Sequence, residues 1–419
     1  MEVGFQVQNR RAIEAMRAGV PNQDVVHIMG CAQEKLESHF STQLAEARHS
    51  YTSGAQSPGI IIAGDFGAGK SHLLEYFQHM ALKQNFVCSK FVISKETPLY
   101  DTAKVYQAAI KSAVIPDKVG FALTEIANSL KFNDAGYADF YKWLNQPNQD
   151  VCNWFAATVY LYEYLRGDEE IRDRIIRFWA GDKLSLAELK RWLRQAGEMA
   201  TYKLEKVTAK ELALQRFFFA PRLMIAAGYS GWVLLIDEVE LIGRYSRLQR
   251  ARSYAQIASF MGKVPDRAIP GLTTVMAITG DFEAAILDDK LDEEKIPARL
   301  KAYAHADDLI LCSQAEIGMS LIRKKLILQK PDSATINNTF VKLRKAYETA
   351  YNWQPPAEIV EPDLKSPMRQ NVKRGITICD LRRLYPDYVP YIVTVPIQIN
   401  YEEERELEEG DNDATEAQP

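Results

Sequence analysis

Gly64-Asp65-Phe66-Gly67-Ala68-Gly69-Lys70-Ser71 is the stretch on which the fold turns. It fits G-x-x-x-x-G-K-[ST], the phosphate-binding loop, at every defined position. Ahead of it, Ile60-Ile61-Ile62-Ala63 reads as a buried strand. Behind it, Ser71 to Gln84 carries Leu73, Leu74, Phe77, Met80 and Ala81 at helical spacing. A strand, a glycine loop and a helix N-terminus make an anion site, because backbone N–H groups point inward and the helix dipole adds partial positive charge. Glycines are needed where a side chain would block phosphates or forbid the backbone angles. Lys70 is expected to reach the β- and γ-phosphates, and the Ser71 hydroxyl to hold Mg²⁺. The cofactor-binding set runs from Gly64 through Ser71 to His72, although the rings of His72 and His79 read as packing or surface groups. ATP and Mg²⁺ are the cofactors this implies.

Gly231-Trp232-Val233-Leu234-Leu235-Ile236-Asp237-Glu238 is an apolar strand ending in two carboxylates. A strand that dry fits a parallel sheet covered on both faces. Ligands of such sheets bind at the carboxyl ends of strands, which brings Asp237 and Glu238 to Lys70. Asp237 is expected to hold Mg²⁺ with Ser71, and Glu238 to orient the attacking water. Glu240 reads as a helix-start residue. A third strand, Leu272 to Ile278, ends at Thr279-Gly280-Asp281. The order of loop, carboxylate strand and polar-ended strand is that of P-loop ATPases with a sensor strand between the first two. Thr279 is the sensor candidate; an ordinary strand-end threonine is the alternative. No N-K-x-D base-reading motif follows, which argues against a GTPase.

These residues resemble the AAA+ superfamily and, more narrowly, the ATP-binding proteins of bacterial BREX phage-defence systems, the BrxC/BrxD group and its BrxD branch most of all. Four stretches carry the narrower resemblance: Arg10 to Pro21, the loop from Gly64 with His72-Leu73-Leu74, Ala227-Gly228-Tyr229-Ser230-Gly231 leading into Leu235 to Glu240, and Ser366-Pro367-Met368-Arg369-Gln370. Together they span about residues 5 to 385. Met368 departs from the Ser-Pro-Arg of the group, which leaves the placement of Arg369 open by one residue. The resemblance implies an α/β P-loop fold of AAA+ type, with a parallel sheet between helices, a helical insertion and a C-terminal helical lid. It implies an arginine offered to a neighbouring subunit, for which Arg299 is the candidate; a surface arginine on a charged helix is the alternative. It implies a lid arginine, Arg369, with Arg374 its nearest competitor. The catalytic set expected is thus Lys70, Glu238, Thr279, Arg299 and Arg369.

At 47% hydrophobic and 25% charged residues, the chain reads as globular. No apolar run approaches the roughly 18 residues needed to span a bilayer. The first residues lack the basic and apolar regions of a signal peptide. Five scattered cysteines (Cys31, Cys88, Cys152, Cys312, Cys379) form no C-x-x-C and read as reduced thiols of a cytoplasmic protein. His27 and Cys31 are four apart, but two ligands do not make a zinc site. Neither H-E-x-x-H nor G-x-S-x-G occurs, so protease and esterase readings lack support.

The organisation expected is N-terminal helices and half the core over 1–112, a helical insertion over 113–220, the second half of the core over 221–315, a lid over 316–395 and a disordered acidic tail over 396–419. The first helix spans 7 to 19, and Gly30 breaks the helices of 22 to 50. Asn85 to Ser94 is the second core strand and Asp307 to Cys312 the last. The insertion is rich in aromatics (Trp143, Trp154, Phe155, Tyr160, Tyr162, Tyr164, Trp179, Trp192), which read mostly as its core. Its basic residues from Arg166 to Arg194 are interspersed with acids and read as a solvated face. Arg244, Arg247, Arg250 and Arg252 are the better candidates for nucleic-acid or subunit contact. The loop from Gln354 to Pro362 is broken by prolines. From Glu402 onward there are nine acids and one arginine.

Three functions compete. The first is a homo-oligomeric ATPase that couples hydrolysis to remodelling or sensing double-stranded DNA or a DNA-bound partner. The resemblance adds defence-system partners: a helicase, a methyltransferase or a phosphatase-like protein. The second is a slowly hydrolysing nucleotide-gated switch or scaffold. The third is a DNA loader resembling replication initiators, against which the lack of a winged-helix pattern counts.

Overall fold

The computed structural model describes residues 2–146, 150–264, 267–303, 305–357 and 361–387. Helices α1 (Glu2–Ala18), α2 (Gln23–Met29) and α3 (Glu34–Ser53) precede β1 (Ile60–Ala63) and α4 (Lys70–Lys83). Next come β2 (Val87–Val92), α5 (Thr102–Lys111) and the short β3 (Ala113–Val114). Helices α6 (Ala122–Asn128), α7 (Ala135–Leu144), α8 (Asn153–Tyr164), α9 (Glu169–Ala180), α10 (Leu186–Gln195) and α11 (Ala209–Ala226) form the insertion. The chain then returns through β4 (Trp232–Asp237), α12 (Arg247–Phe260), β5 (Leu272–Ile278), α13 (Asp292–Tyr303), α14 (Ala306–Arg323) and β6 (Leu326–Ile327). It continues as α15 (Ser333–Tyr351) and α16 (Met368–Leu384).

The fold is mixed α/β. Its six-stranded sheet has the order β3-β2-β4-β5-β1-β6 and is parallel except for the β2–β3 pair. Every residue of β4 and β5 is buried, because helices cover both faces. Side chains alternate between two hydrophobic layers. Trp232, Leu234, Ile236 and Met276 face the insertion, whereas Val233, Leu235, Val275 and Ala277 face α3 and α4. β5 lies between β1 and β4, with Ile61 and Ile236 both opposite Met276. The carboxyl ends of the three strands therefore emerge together.

The insertion is not a separate body. Its aromatic core (Phe140, Phe155, Trp179, Phe219) is continuous with the sheet layer of Trp232 and Ile236. Trp154, Trp179 and Trp192 are buried as expected, while Tyr164 is exposed. Capping boxes at Ser185 with Glu188 and at Thr208 with Glu211 start α10 and α11.

Asp307 to Cys312 is not a strand. It opens α14, whose buried Cys312, Ala315, Met319 and Ile322 recur at helical spacing, with Asp307 and Asp308 in the first turn. Gly318 lets α14 sit on α12, since a Cβ there would lie 2.0 Å from Tyr254 O. The last strand is β6, inside the range read as lid. α1 begins at Glu2 rather than at residue 7. It packs with α2, α15 and α16 in a third cluster holding Ile13, Met16, Val25, Phe340 and Ile376. The N-terminal helices and the expected lid therefore form one packed unit, which Arg17 braces by an ion pair to Asp380 at 2.9 Å. The acidic tail, the end of the lid beyond residue 387 and residues 358–360 of the proline-broken loop lie outside the described residues.

Candidate nucleotide site

The glycine loop joins the carboxyl end of β1 to the first turn of α4. Gly67 and Gly69 have φ of 75° and 109°, a region open to glycine at no steric cost. A Cβ on Gly67 would stand 3.0 Å from Pro367 Cβ, so the loop and the start of α16 are in contact. Lys70 is 8% exposed, and its Nζ donates to Gly64 O at 2.8 Å. Ser71 Oγ donates to Asp237 Oδ2 at 2.6 Å, across 166 residues of sequence. A hydroxyl beside a carboxylate is an all-oxygen donor pair, the kind Mg²⁺ takes together with nucleotide phosphates. Asp65 pairs with Lys330 at 2.9 Å in an exposed position.

Glu238 follows Asp237 in a left-handed conformation, φ 55° and ψ 34°. For a residue other than glycine this costs energy and persists where the surroundings impose it. Its backbone N–H donates to Asp237 Oδ1 at 3.0 Å, and its side chain is exposed to the cavity. Desolvation at the cavity floor, then the charge of Asp237, raise its carboxyl pKa; Lys70, Arg369 and Arg244 oppose the shift.

Glu240 is a helix-start residue, as read, in the first turn of a 3-10 helix. The 3-10 turn Val239–Arg244 tucks it beneath the cavity at 5% exposure. Burial pushes its carboxyl up to about 7 against the opposing charge of Lys70. Its Oε2 has no hydrogen-bond partner. The D-E-x-E spacing was the available signal, but it does not say which face of the turn is covered.

Arg369 reaches the loop from α16. Its backbone N–H donates to Gly67 O at 3.3 Å, and its guanidinium lies over the Phe66 ring at 5.3 Å. Arg374 is turned elsewhere, donating to Glu361 O. Thr279 follows β5 and is 1% exposed. The loop begins beside it, since Gly64 N donates to Ile278 O at 3.2 Å, but Thr279 does not line the cavity. Arg299 is exposed on α13, away from the cavity of its own chain. The His72 ring donates from Nε2 to Gly30 O, 2.8 Å away, and burial lowers its pKa. It therefore fastens the end of α2 to α4, and His72 is among the residues lining the cavity.

These groups line a cavity of about 320 Å³. Its floor holds the loop, Asp237, Glu238 and Glu240. The rest of its lining is mixed: Met16, Pro21, Val25, Met29, Leu328, Pro331, Met368 and Val372 are apolar, whereas Gln33, Gln329, Lys330, Asp332, Thr335, Thr339 and Arg369 are polar or charged. A cavity that joins the glycine loop and two carboxylates to a lining of both apolar and hydrogen-bonding side chains suits a nucleotide.

Elsewhere, one arginine of the basic run after β4 is not on the surface, while Arg244, Arg247 and Arg252 are half-buried. Arg250 is 2% exposed and paired with the fully buried Asp292 at 2.7 Å. In the insertion, Arg172 lies over Tyr162, Arg174 meets Glu188 and Arg177 meets Asp173. No helix among the described residues is long and apolar enough to cross a membrane.

A family model described as BREX system ATP-binding protein BrxC/D matches residues 6–133 and 148–289. These stretches make up more than half of the chain and include the glycine loop, Asp237, Glu238, Glu240 and Thr279; Arg299 and Arg369 lie beyond them. No curated protein matches the chain.

Proposed function

The chain belongs to the BREX system ATP-binding family BrxC/D, and on that premise we propose that it is a cytoplasmic ATPase of AAA+ type. It hydrolyses Mg-ATP and couples turnover to double-stranded DNA or to a partner of a phage-defence system. The observation that carries this reading is the meeting of Lys70, Ser71, Asp237 and Glu238 at one cavity floor, with Arg369 above. The strand order, with β5 between β1 and β4, also supports it.

In this reading Lys70 leaves Gly64 O for the β- and γ-phosphates, and the loop N–H groups hold the phosphate oxygens. Ser71 and Asp237 hold Mg²⁺, which when bound offsets phosphate charge. Glu238 orients water for attack. Thr279, which follows β5 beside the start of the glycine loop, is the candidate sensor of the γ-phosphate, and Arg369 reads it from α16. Arg299, exposed on α13, serves a neighbouring subunit of a homo-oligomer, where its guanidinium stabilises charge on the phosphoryl group. Within the BrxC/D family, BrxD is the branch proposed, on the resemblance of the stretches from Arg10 and from Gly228. A helicase, a methyltransferase or a phosphatase-like protein of the same system is the partner class.

The test is ATP turnover by wild type and Glu238→Gln, with and without double-stranded DNA, while mass in solution is recorded. Turnover stimulated by DNA and lost in the variant supports the proposal; equal turnover in the two proteins refutes hydrolysis by this site. A nucleotide-gated switch is the second reading. It is favoured by the cavity wall that the α1–α2 and α15–α16 unit provides, since nucleotide occupancy would then set the position of that unit. Partner binding that is equal with and without ATP sinks it.

A further inference from the structure

Glu240 lines the cavity floor, yet no step above uses it. It is 5% exposed and its Oε2 has no hydrogen-bond partner. A buried polar atom left unpaired is costly, and a fold that retains one commonly has a donor arriving from outside. The neighbours on the floor narrow that donor. Asp237 and Glu238, when ionised, are acceptors only. Nucleotide phosphate oxygens are acceptors too. Lys70, one of whose three N–H donors goes to Gly64 O, turns to phosphate in the reading above. Water remains.

We infer that Glu240 is a second water-holding carboxylate, which with Glu238 brackets the attacking water at the cavity floor. The inference rests on the hydrolytic reading of this site and extends it. Glu238, in its left-handed conformation, and Glu240, two positions on, both line the cavity. A water whose two O–H groups are accepted by two carboxylates has its lone pairs free on the opposite side. In the step itself, the water oxygen bonds to the γ-phosphorus and the bond to the bridging oxygen of ADP breaks. One water proton passes to Glu238, the other O–H stays donated to Glu240, and the products are ADP and inorganic phosphate. Glu240 thus shares the orienting of the water with Glu238, and Glu238 also takes the proton.

Full-length wild type, Glu240→Gln, Glu240→Asp and Glu238→Gln are compared by single-turnover hydrolysis of Mg-ATP and by equilibrium binding of a fluorescent ATP analogue. The expectation for Glu240→Gln is a single-turnover rate lowered roughly 10²-fold, with affinity changed less than about twofold. Glu240→Asp, which keeps the carboxylate, recovers part of the rate. A normal rate in Glu240→Gln, or a parallel loss of affinity and rate, overturns the inference. So does a melting temperature of Glu240→Gln below wild type, because an isosteric neutral amide relieves a buried, unpaired acid. If Glu238→Gln is inactive while Glu240→Gln is normal, the role of Glu240 alone is refuted. If wild type itself does not hydrolyse ATP, the hydrolytic reading falls and takes this inference with it.

Discussion

Replacing Asp292 with alanine should destabilise the protein by about 4 kcal/mol, the middle of the range for breaking a buried ion pair by removing one partner. Asp292 is fully buried, and Arg250 is 2% exposed. Asp292 accepts from Arg250 Nε at 2.7 Å, from another Arg250 nitrogen at 2.8 Å and from the Tyr254 hydroxyl at 2.8 Å. Arg250 also donates to Tyr245 O at 2.6 Å. Hydrogen bonds to charged groups are worth roughly 1.5–3 kcal/mol each, but the three share one carboxylate and do not add. The dominant cost is the guanidinium left without a counter-charge. Tyr254→Phe keeps the ion pair and should cost about 1–2 kcal/mol. Arg250→Met combined with Asp292→Leu should cost less than Asp292→Ala alone, because neither charge is stranded. Urea titration followed by tryptophan fluorescence reads all four proteins. The pair is shielded from solvent, so the loss in Asp292→Ala should persist in 1 M salt, of order 1 M being enough to screen surface charges. A loss under about 1 kcal/mol, or a double variant weaker than the single one, would refute the argument.

Three further outcomes follow from the site. Phe66→Leu removes the ring beneath Arg369; an exposed cation–π contact of about 0.5–1 kcal/mol predicts a two- to fivefold loss of preference for ATP over ADP, measured by competition binding, with Phe66→Tyr unchanged. Arg299→Ala should leave urea stability within about 0.5 kcal/mol, since the side chain is exposed, yet lower turnover of the assembled protein; normal turnover assigns Arg299 to the surface. The Glu240 carboxyl is raised from an ordinary 4.5 to about 7, so the folded state holds this proton more tightly than the unfolded chain. Its contribution therefore turns destabilising as pH rises from about 4.5 to about 7, by on the order of 3 kcal/mol. The stability gained by Glu240→Gln should accordingly be larger at pH 8 than at pH 5, and an equal or opposite change would contradict that sign.

Much of this architecture is legible along the chain. β1, β4 and β5 are dry runs of four to seven residues with polar ends, and the loop after β1 is a local motif whose glycines are needed by the backbone itself. Asp307 to Cys312 misleads because four apolar residues after two acids look like a short strand; the helical period emerges only when the reading continues to Ile322. β6 has two residues, too few to leave a pattern. Arg250 shares its spacing with surface arginines, and nothing nearby in sequence announces Asp292, 42 residues away.

The sequence by itself determined the elements whose cause is local: the strand–loop–helix at Gly64 to Ser71, the carboxylates at the end of β4, the break at Gly30 and the aromatic core of the insertion. Short-range sterics, hydrophobic period and capping act within a few residues, so they can be read without knowing what lies opposite. Tertiary structure alone decided which groups share a cavity. It set Arg369 rather than Arg374 over the glycine loop, and the α1–α2 pair beside α15–α16 as the cavity wall. It also buried Glu240 and Arg250, two charged residues whose exposure is set by what packs over them rather than by their own type.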